Sequence, residues 1–193
     1  MASGTPPPDT CWARGFPALE NPNARGLILG SMPGVASLRA GRYYAHPRNQ
    51  FWPIMGELLA IDLVGMAYSL RMQALSASGY ALWDVLQSCR RRGSLDADIS
   101  TDSLVVNDFA AFFQRHPAIT HIYFNGAAAE RLFRRHVAPP PDCRCLRLPS
   151  TSPAHAALDY SVKLAAWRSV LDCAQRQTRS NFSPRHSAEK VTP

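Results

Sequence analysis

Lysine and long apolar runs are both scarce in this sequence. Lys163 and Lys190 are the only lysines, so arginine supplies nearly all of the positive charge behind a net charge of +7. No segment approaches the roughly 18 apolar residues that a membrane-spanning helix needs. Residues 1–10 lack the basic and apolar regions of a signal peptide. We therefore expect no membrane contact and a cytoplasmic location.

The cysteines also lack the spacing of a metal site. They are Cys11, Cys89, Cys143, Cys145 and Cys173. Cys143 and Cys145 are closer together than the usual pair of cluster ligands, and the other three are scattered. We therefore expect reduced thiols, most of them buried, and no metal.

The arginine surplus makes a polyanionic partner plausible. A guanidinium group can contact a phosphate through two N–H groups at once, and a basic protein attracts nucleic acid at long range. The alternative is that the charge serves only solubility, and charge alone does not decide between the two.

The length of 193 residues permits one well-buried core but is short for two domains. Both ends are polar or rich in proline. We expect a flexible segment over residues 1–22, one domain over residues 23–175, and a flexible basic tail over residues 176–193.

Four short apolar segments predict strands, and amphipathic segments between them predict helices. The predicted strands are Gly26–Gly30, 79–84, His121–Asn125 and Arg144–Leu148. The predicted helices cover residues 51–59, 68–76, a segment capped by Asn107, 126–136 and 158–175. Strands that alternate with helices predict an α/β fold whose mostly parallel sheet is covered on both faces. The chemistry of such sheets lies beyond the carboxyl ends of the strands.

Two loops carry most of the residues suited to chemistry. Residues 30–34 (Gly-Ser-Met-Pro-Gly) allow a sharp turn that brings backbone amides close to a ligand. Residues 43–52 combine aromatic rings that can stack on a base with an amide that can read a base edge or hold a water. The alternatives are a plain tight turn in the first loop, and His46 and Asn49 that only brace the second.

The ordered set of motifs resembles the uracil-DNA glycosylase superfamily, and most of all its hypoxanthine (deoxyinosine) DNA glycosylase group. The motifs are residues 30–34, 43–49, 82–86, 92–96, 124–126 and 149–154. The resemblance implies a three-layer α/β/α sandwich around a central four-stranded parallel sheet. It also implies base-excision repair: hydrolysis of the N-glycosidic bond of a deaminated base that has left the DNA stack, with no metal or other cofactor.

Site residues follow from the resemblance one by one. Tyr44 matches the position that stacks on the flipped base. The first loop matches the water-binding motif, but Ser31 and Met32 stand where many relatives have an Asn or Asp. The resemblance to the hypoxanthine group implies that this role shifts to the Asn of the His-Pro-Arg-Asn motif. We therefore predict that Asn49 is the principal catalytic residue, which orients the water or hydrogen-bonds the base.

The remaining predicted site residues contact the base or the DNA. The full prediction is catalytic Asn49, Ser31 and His155; base-binding Gly30, Met32, Pro33, Tyr44 and Asn125; DNA-binding His46, Arg48, Ser150, Thr151, Ser152 and Pro153. Two of these have open alternatives, since His155 could cap the last helix and Asn125 could be a turn residue.

Several charged residues near the motifs are assigned structural functions. We expect Asp84 to be a helix cap rather than an acid. We expect Arg90, Arg91 and Arg92 to form a solvated loop that Asp96 and Asp98 help to order, and contact with phosphates is the alternative for these arginines.

The partner implied is DNA that contains deaminated bases, which suggests a nucleoid-associated protein, and we expect a monomer. With no lysine near the site motifs, we expect no Schiff base and hence no lyase step. The closest rival is a mismatch-specific uracil or thymine glycosylase. Rivals from other classes are a non-catalytic nucleic-acid-binding module and a phosphate-cleaving hydrolase, which would need more acidic metal ligands than Asp84 at the strand ends.

Overall fold

The computed structural model describes residues 11–173, which form two sheets and six α-helices. The strands are β1 (Cys11–Arg14), β2 (Gly26–Gly30), β3 (Tyr80–Asp84), β4 (Leu86–Arg91), β5 (Val105–Val106), β6 (His121–Asn125) and β7 (Arg144–Leu148). The helices are α1 (Val35–Ala40), α2 (Phe51–Leu59), α3 (Tyr68–Ala77), α4 (Phe109–Arg115), α5 (Ala127–His136) and α6 (Tyr160–Trp167).

The central sheet is four-stranded and fully parallel, in the order β3-β2-β6-β7. Its strands are those the sequence predicts, with β3 beginning one residue later than expected. The register places Gly30 of β2 beside Asp84 of β3, and Asn125 of β6 beside Leu148 of β7. The carboxyl ends of all four strands therefore meet at one edge of the sheet.

Helices cover both faces of this sheet, which confirms the predicted three-layer sandwich. Side chains of a strand alternate between faces. Leu27 and Leu29 of β2 accordingly belong to one buried cluster with Phe112 of α4 and Phe133 of α5. Ile28 belongs to the other, with residues of α2, α3 and α6.

A second sheet was not expected from the sequence. It is antiparallel, in the order β1-β4-β5. The prediction of a flexible segment over residues 1–22 is wrong for Cys11–Arg14, whose backbone pairs with β4. The prediction of a solvated arginine loop is also wrong, because Arg90 and Arg91 belong to β4 and Arg91 is buried. Residues 1–10 and 174–193, including the predicted tail, lie outside the described residues.

Two helix starts differ in detail from the prediction. Asp108, not Asn107, caps α4, and its carboxylate accepts a hydrogen bond from the N–H of Ala111 at 2.9 Å. The amide of Asn107 instead donates to the backbone oxygen of Asp84 at 2.8 Å. The last predicted helix is divided into α6 and a 3₁₀ turn, Arg168–Leu171. In the part of the chain that the structure describes, no helix is both long and apolar enough to cross a bilayer.

Candidate active site

A pocket of about 120 Å³ opens at the carboxyl edge of the parallel sheet. Every predicted site residue except Arg48 and His155 lines it. The loops after β2 and β7 and the loop before α2 all contribute. Ser94 and Asp96 also line the pocket, although the sequence predicted no such position for them. The signal that could have found them is the fourth motif, residues 92–96, for which the sequence predicts only a structural function.

Tyr44 is held in an uncommon backbone conformation at the pocket wall. Its φ of 54° lies in the left-handed region, which costs energy for a residue with a side chain. Its ring stacks on Phe51, with centroids 4.0 Å apart and planes 25° apart. Burial, and then the charge of Asp84, raises the pKa of the Tyr44 hydroxyl, while Asn125 opposes that shift. Phe51 thus fixes one face of the ring.

The amide of Asn49 is oriented by the start of α2. Its Oδ1 accepts a hydrogen bond from the N–H of Phe51 at 3.0 Å, and its own backbone N–H donates to the oxygen of His46 at 2.8 Å. Because a backbone N–H needs an acceptor, this contact identifies the oxygen end of the amide. The nitrogen end, which can only donate, is left for a group in the pocket.

Asn125 binds the loop after β7. Its Nδ2 donates to Oγ1 of Thr151 at 2.9 Å, and its Oδ1 accepts from the N–H of Thr151 at 2.8 Å. Thr151 is fully buried, and its backbone oxygen accepts a hydrogen bond from the N–H of Gln50 at 3.0 Å. Asn125 therefore holds the loop after β7 in place, and the backbone oxygen of Thr151 connects that loop to the start of α2.

Two acidic residues, Asp96 at the pocket wall and Asp84 at the end of β3, form the acidic part of the site. The hydroxyl of Ser31 donates to Oδ1 of Asp96 at 2.5 Å. Asp84 is buried at the end of β3, and its Oδ2 has no hydrogen-bond partner among the described residues. A Cβ on Gly30 would lie too close to the Asp84 carboxylate, so any larger residue there would force that side chain to move.

Asp84 is a buried acid and not the helix cap that the sequence predicted. Burial, and then the charge of Asp96, raises the pKa of Asp84 to about 7, while Arg91 opposes the shift. The Nη2 of Arg91 donates to the backbone oxygen of Pro33 at 2.5 Å and so holds the first loop, residues 30–34, in place.

Arg48 and His155 lie outside the pocket, and both are exposed. His155 ends the short 3₁₀ helix Pro153–His155. Its backbone oxygen accepts a hydrogen bond from Nζ of Lys163 at 2.8 Å. Lys163 is buried, and burial lowers its pKa. The expectation that no lysine lies near the site motifs is therefore wrong for the folded chain, because Lys163 contacts His155. Lys163 does not line the pocket, however.

Residues 17–171 match the family model described as the Uracil DNA glycosylase superfamily. Together with the parallel sheet and its edge pocket, this match defines the class: a DNA glycosylase, which hydrolyses an N-glycosidic bond of DNA. The chain belongs to the uracil DNA glycosylase superfamily.

Among residues 11–173, no group of three or more His, Cys, Asp or Glu side chains could hold a metal ion.

Two curated relatives are similar over most of their length. The hypoxanthine DNA glycosylase of Methanosarcina barkeri is 36% identical over 113 residues, which is 58% of this chain and 70% of the relative. That of Methanosarcina acetivorans is 38% identical over 116 residues, 60% of this chain and 72% of the relative. A solution NMR structure from Methanosarcina acetivorans, described as a candidate uracil DNA glycosylase, superimposes with a TM-score of 0.68 at 33% identity and covers 83% of this chain and 99% of that one.

Proposed function

We propose that the protein excises hypoxanthine from DNA as a monofunctional glycosylase. The observation that carries this proposal is the pairing of a supported ring, Tyr44, with a donor amide, Asn49, in one pocket. The two relatives named hypoxanthine DNA glycosylase support it. Excision of uracil is a second activity that the same donor chemistry allows.

The size of the pocket suits one flat group rather than a whole nucleotide. Its volume of about 120 Å³ is well below the roughly 300–1,000 Å³ of sites for drug-sized ligands. A base inside a duplex cannot reach such a site, so it must leave the stack and enter alone. Tyr44 then offers the ring face that Phe51 does not cover.

The donor end of Asn49 favours deaminated bases. Hypoxanthine carries an oxygen where adenine carries an amino group, and negative charge grows on the base as its bond to the sugar breaks. A donor amide stabilises that charge, and it cannot accept a hydrogen bond from the amino group of adenine. Because Oδ1 of Asn49 is engaged with the N–H of Phe51, the amide has little freedom to turn around.

Water is the nucleophile in this proposal. A lyase step needs an amine that can reach the sugar. No lysine is present among the described residues that line the pocket. The ammonium group of Lys163 is held at the backbone of His155, outside the pocket.

The DNA backbone is proposed to lie over the pocket rim. Ser150, Ser152 and Pro153 belong to a loop that Thr151 anchors, and a stiff loop can enter a groove. Arg48 is exposed beside the pocket and can contact a phosphate. His46 accepts a hydrogen bond at Nδ1 from the N–H of Arg48 at 3.1 Å, which leaves its other ring nitrogen for the DNA.

The test uses labelled duplexes that carry deoxyinosine, uracil or thymine opposite each of the four bases. After incubation, alkali cleaves the strand at any abasic site, and EDTA in parallel reactions reports metal dependence. We expect cleavage of the deoxyinosine duplexes. Cleavage of uracil or thymine duplexes alone would replace this proposal with the mismatch-specific enzyme, and no cleavage at all would favour a non-catalytic DNA-binding module.

A further inference from the structure

Asp96 reaches the pocket from a segment far away in the sequence. It begins the 3₁₀ helix Asp96–Asp98, between β4 and β5, and its Oδ1 lies 2.5 Å from Oγ of Ser31. Both residues line the pocket that the base enters. Asp96 therefore brings a carboxylate to the first loop from another part of the chain.

The direction of this hydrogen bond decides what Ser31 can do. A serine hydroxyl has one proton to donate and two lone pairs with which to accept. Because the carboxylate of Asp96 can only accept, the proton of Ser31 points to Asp96. The lone pairs of Ser31 are therefore available to a water that donates a proton.

The charged groups around Ser31 and Asp96 are compatible with a single negative charge, that of Asp96, close to the sugar. Asp84 lies behind the pair, and burial together with the charge of Asp96 raises the pKa of Asp84 to about 7. The guanidinium of Arg91 is also buried there, and His46 faces the pocket from the opposite loop. A negative charge close to the sugar stabilises the oxocarbenium character of its transition state.

We propose that Ser31 and Asp96 form a proton relay that orients the hydrolytic water and accepts its proton. The water oxygen bonds to C1′ as the bond from C1′ to the base breaks, and the electron pair of that bond leaves with the base. The water proton passes to Oγ of Ser31 while the proton of Ser31 passes to Asp96. Solvent then protonates the departing base and takes the proton from Asp96. Ser31 contacts the water, and Asp96 is a positioning residue that acts through Ser31.

The inference rests on the proposed function for its choice of substrate, and its test separates the two. The variants are Ser31→Ala, Asp96→Asn and the double variant, measured by single-turnover excision from a deoxyinosine duplex. Asparagine keeps the shape of Asp96 and an oxygen that accepts from Ser31, but it has no charge and takes no proton. A merely structural hydrogen bond therefore survives in Asp96→Asn.

We expect each single variant to lose about 100-fold in the single-turnover rate at saturating DNA, in the usual range for a general base. The double variant should be slower than the worse single variant by no more than about threefold, because the two residues serve one step. The dissociation constant for the duplex and the melting temperature should stay close to those of the wild type.

Asp98→Asn is the matched control. It removes the same charge from the same 3₁₀ helix, but Asp98 is exposed and does not line the pocket. We expect its rate to stay within about twofold of the wild type. The relay is overturned if Asp96→Asn retains the wild-type rate, if Asp98→Asn loses as much, or if weaker DNA binding accounts for the whole effect. A wild-type protein that excises no base overturns the proposed function, and the relay with it.

Discussion

The side chain of Asn49 has two ends with different tasks. Its oxygen binds the N–H of Phe51 at the start of α2, and its nitrogen is the proposed donor to the base or water. We predict that Asn49→Ala lowers the single-turnover rate of deoxyinosine excision by at least about 100-fold, on the scale of one lost transition-state donor. The variant also loses a contact at the start of the helix, which costs about 1 kcal/mol of stability.

Asn49→Asp separates the two tasks, because aspartate keeps the acceptor for the N–H of Phe51 and has no donor. Its melting temperature should match that of the wild type while its rate stays low. Near-normal excision by both variants, measured on the same duplex, would move the catalytic function away from Asn49.

Asp84 makes the stability of the protein depend on pH. Its pKa in the folded state is about 7, against 3.8 for the ordinary side chain. Between these values the folded protein holds a proton that the unfolded chain has released, so stability falls as the pH rises, by at most about 1.4 kcal/mol per pH unit. Above about pH 7 both states are ionised and the loss is complete.

We predict that Asp84→Asn gains stability relative to the wild type as the pH rises through this window, because the amide carries no charge to bury. The difference in melting temperature should be small near pH 4, grow up to about pH 7, and then stay constant. Thermal denaturation across this range measures it, with the exposed Asp98→Asn as control. A pH-independent difference would show that Asp84 does not titrate in this window.

At the scale of elements, the strands that the sequence predicts correctly are those with a regular local pattern. The strands β2, β6 and β7 are bounded by turns, and their predicted bounds agree with the structure. β4 escaped prediction because its buried residues, Leu86, Cys89 and Arg91, do not alternate regularly, and its pairing with β5 shifts register between Leu86 and Ser88. The contact between Ser31 and Asp96 depends on this second sheet, and no local pattern indicates it.

Another element that the sequence left unexplained is the support of the 3₁₀ helix Pro153–His155. The buried ammonium of Lys163 in α6 donates to the backbone oxygen at its end. We predict that Lys163→Met weakens duplex binding about 10-fold, since a loss of about 1.4 kcal/mol in loop ordering has that effect. The rate at saturating DNA should change little, because Lys163 does not line the pocket.

The charge-matched control for this variant is Arg168→Met. It removes one positive charge just after α6 from an exposed side chain. Fluorescence anisotropy with a labelled duplex compares the two affinities at one salt concentration. An equal loss in both variants would mean that general electrostatics, and not the anchored loop, explains the effect of Lys163.

At the scale of the whole molecule, the positive charge acts at long range and the negative charge acts locally in the pocket. The net charge of +7 attracts the DNA polyanion from afar. The pocket instead places the carboxylate of Asp96 at its wall, where we propose that it stabilises the positive charge that develops on the sugar. Long-range attraction and local stabilisation therefore come from different parts of one chain.

The N-terminal segment connects the second sheet to the pocket, and its removal tests the predicted domain boundary. Cys11–Arg14 pairs with β4, Phe16 accepts from the indole of Trp83 at 3.1 Å, and Pro17 accepts from the hydroxyl of Tyr43 at 3.2 Å. Deletion of residues 1–22 leaves these groups without partners, at about 1–3 kcal/mol for each buried one.

We therefore predict that the deletion of residues 1–22 lowers the melting temperature by more than about 10 °C, since each kcal/mol is worth about 2–4 °C at this size. Excision should fall as well, because Tyr43 directly precedes the stacking ring of Tyr44. Deletion of residues 1–10 is the control, since it leaves every contact described above in place. Calorimetry of the two truncated proteins decides the matter, and equal melting temperatures would restore residue 23 as the start of the folded domain.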